Sequence, residues 1–361
     1  MKLAVDARWM NFGCRGMGRH AYSLVSPVSE RVVGLLPRNC PPINFTSIFS
    51  GPTSYAIWEQ LWLPLLCKRE KISHVLCPYN TAPVFLPHST KLILVVHDLI
   101  FLSPWSEIPP SHSLRQELGR LYRKALIPHV IRRASRIITV SNYSRDLIAQ
   151  TFKLNPADIA VIPNSVGAEW FTSEPLPFRS REPYILTVTG DAPSKNLSSL
   201  IHAFSILKNS PGSAFHGLKL RVVGVKPGSI PHFASLARKY GVTSSVVFEG
   251  YIDQDSLVTL YRQSLLFALP SLSEGFGIPI IEAMASGTPI ACSATTSLPE
   301  ILGDCGWYFD PRSPQLMAET MAIALSDDQQ RDKHVQAALL RAQQYSQASV
   351  ARQAYHFWDS L

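Results

Sequence analysis

The chemistry of this chain is densest in Ser273–Pro289, SEGFGIPIIEAMASGTP, where two carboxylates, Glu274 and Glu282, bracket a turn that opens a short helix. Gly275 and Gly277 keep the turn clear of side chains. Pro279 suits the first helical position, and Gly287 suits the residue just past the helix end. Such a turn leaves unpaired N–H groups at the positive end of a helix dipole, a seat for phosphate. Glu282 falls one helical turn in, roughly 6 Å along the axis, where its carboxylate can accept hydrogen bonds from a diol. Amides for phosphate and carboxylates for hydroxyls describe a nucleotide-sugar site. The plain alternative makes Glu274 a solvated loop carboxylate and Glu282 an exposed helix residue.

These groups need elements to hold them. Short apolar strand candidates alternate with amphipathic helix candidates, the pattern of open parallel α/β sheets. In the first half the strands are Lys2–Val5, Val32–Leu35, His74–Cys77, Leu92–Val96, Arg136–Val140 and Ile159–Ile162. Periodicity lapses over Ser165–Pro183, the best linker candidate. The second half restarts with strand Tyr184–Val188, helix Leu197–Lys208, strand Lys219–Val223, helix His232–Tyr240 and strand Val246–Phe248. Helix Gln254–Ser264, strand Leu266–Leu269, the two-carboxylate segment and strand Pro289–Ala291 follow. Two doubly wound domains in tandem are expected, 1–168 and 169–343, with ligand in the cleft at the strand C-terminal ends. A last helix, 344–361, carries Val350, Ala354, Phe357, Trp358 and Leu361 at helical spacing and is a candidate to cross back onto the first domain.

Bulk properties agree with a packed two-domain protein. The 361 residues are 46% hydrophobic and 17% charged, and the net charge of +8 points to an anionic partner without choosing one. Cys14, Cys40, Cys67, Cys77, Cys292 and Cys305 form no CxxC pair, so zinc and thioredoxin-like readings lack support. The chain opens on a strand-like KLAVDA rather than a signal peptide, and no apolar run reaches membrane-spanning length. A cytoplasmic location is the expectation, with peripheral attachment at the inner membrane face left open.

Block by block, the chain resembles glycosyltransferase family 4, retaining enzymes of the GT-B fold with an E-x7-E motif. The resemblance rests on SEGFGIPIIEAMASGTPIACSATTSLPEILGD and on VDARWMNFGCRGMGRHAYSL, YAIWEQLWLP, VVHDL, ITVSNYSRDLI, VIPNSV, SKNLSSLIHAF and VVFEGYIDQDSLVTLYRQSLLFALPSLSEGFG, in the family's order. It implies two Rossmann-like domains facing across a cleft, the first binding acceptor and the second the donor. Glu274 would lie near the transferred sugar and Glu282 would hold the ribose hydroxyls. The backbone of Gly275, Phe276, Gly277 and Ile278 would meet sugar and diphosphate, and Gly250, Tyr251 and Ile252 would lie near the base.

Lys195 in DAPSKNLSSL resembles the family lysine that binds the diphosphate, and its charge would stabilise the leaving group. Many members carry an arginine five residues earlier, where this chain has Gly190. Lys195 then acts with backbone donors, or Arg19 or Lys226 compensates. His97 follows the apolar run LILVV at a strand's C-terminal end. The resemblance makes it a donor-sugar contact, with Asp98 supporting the loop. RGMGRHA also fits the dinucleotide fingerprint, but about ten residues separate it from its strand and Arg38 and Asn39 stand where an acid is needed. The dehydrogenase reading fails. Gly16 and Gly18 read better as a loop closing over a diphosphate, with a plain glycine turn as the alternative.

Segment 114–136 holds Arg115, Arg120, Arg123, Lys124, Arg132, Arg133 and Arg136 against the single acid Glu117. Leu114, Leu118, Leu121 and Ala125 form a stripe at helical spacing, interrupted by Pro128. Anionic lipid or a lipid-diphosphate acceptor could meet it, but a solvated charged face over a packed stripe is the simpler expectation. Trp58 and Trp62 fit one helical face and read as core, with an acceptor-site role as the alternative.

The expected activity is retaining transfer of a hexose from a nucleoside diphosphate donor, a UDP-glucose-like sugar in preference to the alternative GDP-mannose, to a saccharide or lipid-linked saccharide in exopolysaccharide or lipopolysaccharide synthesis. Lys195 with backbone dipoles can neutralise the diphosphate, so no metal or other cofactor is expected, and no nucleic acid is expected as a partner. A sugar phosphorylase or nucleotide-sugar epimerase of the same fold is one rival, although no cofactor-lysine motif is found. A catalytically silent sugar-nucleotide-binding scaffold is the other.

Overall fold

Short, nearly continuous apolar runs are buried on both faces only in parallel sheets covered by helices, and this chain builds two of them. The computed structural model describes residues 2–10, 16–110, 114–210 and 214–361. It divides into a first unit, Met1–Ser103, His112–Ser165 and Gln347–Leu361, and a second, Pro104–Ser111 and Val166–Ser346.

The first sheet contains β1 (Leu3–Asp6), β2 (Val32–Leu36), β3 (Ser47–Phe49), β4 (His74–Cys77), β5 (Lys91–Val95), β6 (Ala134–Thr139) and β7 (Ile159–Val161). Their order is β3-β2-β1-β4-β5-β6-β7, every pairing parallel. Alternate side chains feed opposite cores. Ala4, Val75, Leu92 and Leu94 pack with Trp58, Leu63, Ile127 and Val130 on one face. Val5, Leu76, Ile93 and Val95 pack with Leu24, Val25, Val350, Ala354 and Trp358 on the other. The last helix, Gln347–Asp359, belongs to that second face, and Trp358 Nε1 donates to Leu24 O at 2.7 Å.

The second sheet contains β8 (Glu182–Val188), β9 (Lys219–Val223), β10 (Val246–Gly250), β11 (Ser264–Leu269), β12 (Ile290–Ser293) and β13 (Trp307–Phe309), ordered β10-β9-β8-β11-β12-β13 and again parallel. Order reverses between β1 and β4 in the first unit and between β8 and β11 in the second. Such a reversal opens the crevice that takes ligands in doubly wound sheets.

Several expectations need correction. The linker candidate Ser165–Pro183 is no loose tether: Trp170 is buried against Tyr261, and the Arg181 guanidinium donates to the carbonyls of Leu176, Arg262, Ser264 and Gly287. Its last two residues already belong to β8. The basic helix runs unbroken through Pro128, from Leu114 to Val130. Arg136 lies beyond it, in β6. Trp58 is buried as expected, but Trp62 is only half-buried, and the two bound a π-helical segment between Tyr55–Ile57 and Leu63–Arg69.

Of the six cysteines, Cys14 lies outside the described residues. The other five are free, and burial pushes the Cys77 and Cys292 thiols up, so both pack as apolar groups.

Candidate functional site

Lys195 and Glu274 each follow a strand at the reversal point of the second sheet, Lys195 after β8 and Glu274 after β11. The pairing of those strands brings together side chains far apart in sequence. Lys195 Nζ donates to Glu274 Oε1 at 2.6 Å, and Ser271 Oγ donates to the same oxygen at 2.7 Å. The Glu274 amide donates to Thr296 Oγ1 at 3.1 Å, while Ser297 Oγ lies 3.0 Å from the carbonyls of both Glu274 and Phe276. The carboxylate is buried and tied down on several sides, so the solvated-loop alternative does not fit.

The helix that follows, Ile278–Ala285, starts at Gly277, which places Ile278 first and Pro279 second. Gly277 has φ +103°, a conformation that strains any residue with a Cβ, and a Cβ there would also displace Leu298 Cδ2, 2.6 Å away. Among the described residues no hydrogen bond is made by the amides of Phe276, Gly277 or Ile278. They form the N-terminal donor set that the sequence implied. At the other end, Gly287 (φ +65°) donates to Met284 O and Thr288 donates to Ala283 O, a Schellman closure. Glu282 is buried inside the helix, its Oε2 accepting from Tyr261 Oη at 3.1 Å. An exposed helix residue it is not.

Elsewhere in this unit, Gly250 ends β10 with φ +65°, Tyr251 is exposed, and Ile252 is half-buried. Lys226, the other lysine considered beside the absent arginine, is paired: its Nζ lies 3.1 and 3.2 Å from the two carboxylate oxygens of Asp191. Gly190 faces open space, with nothing within 4 Å of a Cβ built there.

In the first unit His97 lies just past β5. Its amide donates to Asn80 Oδ1 at 2.6 Å, its carbonyl accepts from Ser144 Oγ at 3.3 Å, and its Nε2 is 2.9 Å from Pro78 O. A carbonyl only accepts, so Nε2 carries the ring proton and Nδ1 keeps a lone pair. His20 meets the His97 ring edge-on, with centroids 5.1 Å apart, and its own Nε2 donates to Ile162 O at 2.8 Å. Its Nδ1 is buried with no hydrogen-bond partner among the described residues. Nothing in the sequence singled out His20, Asn80 or Ser144. Only the position of His20 two residues after Gly18, in the same segment, offered a clue.

Burial lowers His97 to about 4, and burial with the neighbouring His97 lowers His20 to about 3. Both rings are therefore neutral at neutral pH. Depressed folded-state values mean that the unfolded chain takes up protons first as pH falls from 6.5, so stability is lost down to about 4 for His97 and about 3 for His20. Each ring contributes a slope of about 1.4 kcal/mol per pH unit within its window. Denaturant unfolding at pH 7.0 and 5.0 checks this: the pH-dependent loss should shrink in His20→Phe, and an unchanged loss would contradict it.

Gly16 starts the helix Met17–Val25 with φ +52°, whereas Gly18 is buried in that helix's first turn rather than in a loop. Arg15 and the rest of the glycine segment before Gly16 lie outside the described residues.

Around the end of β1 sits a buried ionic cluster that the sequence reading missed. Arg8 Nη2 is 2.7 Å from Asp6 Oδ2 and 3.0 Å from Glu59 Oε2. Trp58 Nε1 donates to Asp6, Thr81 Oγ1 to Glu59 Oε2, and Tyr122 Oη to Glu59 Oε1. Burial pushes Asp6 up against the opposing pull of Arg8. Two carboxylates here share one guanidinium, and the cluster fastens the helical run 55–69 to β1 and to the helix Leu114–Val130.

Residues 16–170 match the family model described as Glycosyltransferase Family 4, and residues 168–341 match that of Glycosyl transferases group 1. Sucrose-phosphate synthase from Thermosynechococcus elongatus superposes with a TM-score of 0.78 at 17% identity, covering 99% of this chain and 98% of that one. WaaG, a glycosyltransferase involved in lipopolysaccharide biosynthesis, gives 0.75 at 19% identity, with 98% of each chain covered. These likenesses define the fold as GT-B. The chain belongs to the family 4 type of GT-B glycosyltransferases. The O-antigen chain mannosyltransferase B of Escherichia coli is 28% identical over 78% of this chain and 74% of its own length. The serotype-specific mannosyltransferase WbdA of Escherichia coli is 30% identical over 73% of this chain, which spans only 33% of WbdA.

Proposed function

We propose that this glycosyltransferase moves a hexose from a nucleoside diphosphate sugar to an acceptor hydroxyl in bacterial polysaccharide assembly, with retention at the anomeric carbon. The observation that carries the reading is the Lys195–Glu274 pair at the reversal point of the second sheet, beside the Gly277 helix start and Glu282. In this reading the open amides and Lys195 take the diphosphate, Glu282 the ribose and Glu274 the transferred sugar. Gly250, Tyr251 and Ile252 line the base. From the family resemblance, His97 is assigned to the donor sugar and Gly16 and Gly18 to the diphosphate.

Retention follows if the acceptor oxygen attacks from the face the diphosphate leaves. The C–O bond to the phosphate breaks as the new glycosidic bond forms, and a departing phosphate oxygen takes the acceptor proton. Lys195 stabilises the charge that develops on that phosphate. We assign no metal to this step, because a lysine and oriented amides supply positive potential where other sugar transferases use an ion.

A mannosyl donor draws support from the names of the E. coli relatives. UDP-glucose remains the second donor to test, and no residue decides between them. A saccharide or lipid-linked saccharide is the acceptor class we favour. The experiment is release of nucleoside diphosphate from GDP-mannose and UDP-glucose, with and without acceptor glycans, in chelator-treated buffer. Wild type should turn over one donor selectively, and Glu274→Ala should not. Equal, negligible release by both proteins would favour the silent scaffold. Activity restored only by added magnesium or manganese would overturn the metal-free assignment.

A further inference from the structure

Amphipathic helices normally turn leucines inward, and the helix Leu114–Val130 does the reverse. Leu114, Leu118 and Leu121 keep 83%, 67% and 51% of their surface exposed, while Ile127 and Val130 are buried. The inward face also uses cations: Arg120 donates to the carbonyls of Phe101 and Ser103, and the Arg123 guanidinium lies over the Phe101 ring. The expected packed stripe under a solvated charged face is therefore corrected. Here the stripe faces solvent.

A second stripe lies in the same unit. Ile57, Leu61 and Leu65 recur every four residues along the run 55–69, and all three are exposed. Gln60 ties the two helices, its Nε2 donating to Tyr122 Oη at 3.0 Å, while its Oε1 accepts from the Val84 amide at 3.0 Å. Exposed Phe85 follows Val84. Exposed Lys68 stands three residues after Leu65, and exposed Lys124 three after Leu121, so each stripe ends in a cation on its own face. Arg132 and Arg136 are exposed just beyond.

We propose that these paired helices form a docking surface for an anionic lipid bilayer. Exposed apolar groups of this extent mark an interaction site. Leucines bordered by lysines and arginines fit the acyl–headgroup boundary, where aliphatic tips enter and long basic stems reach the phosphates. A protein partner would ask for charges depleted from the centre and aromatic anchors there, whereas these stripes are aliphatic and end in lysine. No helix among the described residues is long and apolar enough to cross a membrane, so the contact is peripheral. The Glu59–Gln60–Tyr122 bonds hold both stripes on rigid elements.

The test is flotation of the purified protein with vesicles of phosphatidylcholine alone or with about a third phosphatidylglycerol, at low and high salt. Wild type should float with the anionic vesicles, weaken with salt and leave the neutral ones. Leu118→Glu and Leu61→Glu should each lose at least tenfold in vesicle affinity, and Lys68→Glu with Lys124→Glu should lose a similar factor. Their thermal unfolding and their donor hydrolysis without lipid should match wild type, which separates a failed surface from a failed enzyme. Binding of wild type to neither vesicle, or undiminished binding by the variants, overturns the proposal. So does a wild-type dimer that Leu118→Glu converts to monomer, since the surface would then serve a second copy of the chain.

Discussion

Replacing Lys195 with methionine should lower kcat/KM for the donor by about 10²- to 10³-fold, the loss typical of removing a group that stabilises charge in the transition state. Methionine keeps the stem and removes the ammonium. That ammonium is not idle without donor: it is already 2.6 Å from Glu274 Oε1, with Lys195 about a third exposed and Glu274 nearly buried. An ammonium carries three N–H donors, so one can stay on Glu274 while others meet a diphosphate. Part of any Lys195→Met effect would come from leaving Glu274 without its cation, and that part must be separated. Affinity for the free nucleoside diphosphate does so. It should fall about 10- to 100-fold in Lys195→Met, the worth of a hydrogen bond to a charged group, and change little in Glu274→Gln. Equal losses in the two variants would make Lys195 a buttress for Glu274 and remove it from the phosphate.

Gly190 supplies a second arm. Its backbone is outside the left-handed region and nothing lies within 4 Å of a Cβ placed there, so a side chain can start from this position without strain. Gly190→Arg in the Lys195→Met background should recover about tenfold in diphosphate affinity, consistent with a charge-assisted bidentate contact. No recovery would place the phosphates away from this strand end.

What could be read in advance follows from which physical signals are local. The strand His74–Cys77 is legible to the residue, because a parallel strand buried on both faces leaves a nearly unbroken apolar run, and Lys219–Val223 is legible although Arg221 interrupts its run. The three-residue strands Ser47–Phe49 and Trp307–Phe309 are not, because each is too short to show a period and lacks the aliphatic run by which the equally short edge strand Ile159–Val161 is recognised. The helices Pro314–Ser326 and Asp328–Ala342 also go unnamed by the sequence reading.

The candidate residues divide the same way. Lys195 and Glu274 in the second unit, and His97 in the first, could be named as candidates because each follows a recognisable strand in a recognisable motif. Their partners Ser271, Thr296, Ser297 and Asn80 could not, since a hydroxyl or amide finds its acceptor through the fold and leaves no spacing behind. Periodicity revealed the leucine stripe of Leu114–Val130 but carried no information on which side faces the sheet. That was decided by Ile127 and Val130 and by arginines that found backbone carbonyls.

Glu282→Gln should raise the KM for the sugar nucleotide on the order of 10- to 100-fold while leaving kcat within a few-fold. The argument begins with burial. A carboxylate enclosed in a helix of mostly apolar residues costs free energy unless it is bonded, and Tyr261 Oη supplies a donor at 3.1 Å to Oε2. That bond, with the Tyr261 ring held against Trp170, fixes the carboxylate in one orientation. A ribose diol presents two adjacent hydroxyls, which an ionised carboxylate accepts and a carboxamide matches poorly. Binding the ribose equally in ground and transition states moves KM and not kcat. The check is a cycle with the corresponding 2′,3′-dideoxy nucleotide. Wild type should lose affinity for it by about the same factor as Glu282→Gln loses for the parent, and the variant should lose little more. Tyr261→Phe should give a smaller rise in KM, because it loosens the carboxylate without removing it. An unchanged KM in Glu282→Gln, or a full further loss with the dideoxy nucleotide, would take the ribose away from Glu282 and leave the carboxylate a structural partner of Tyr261.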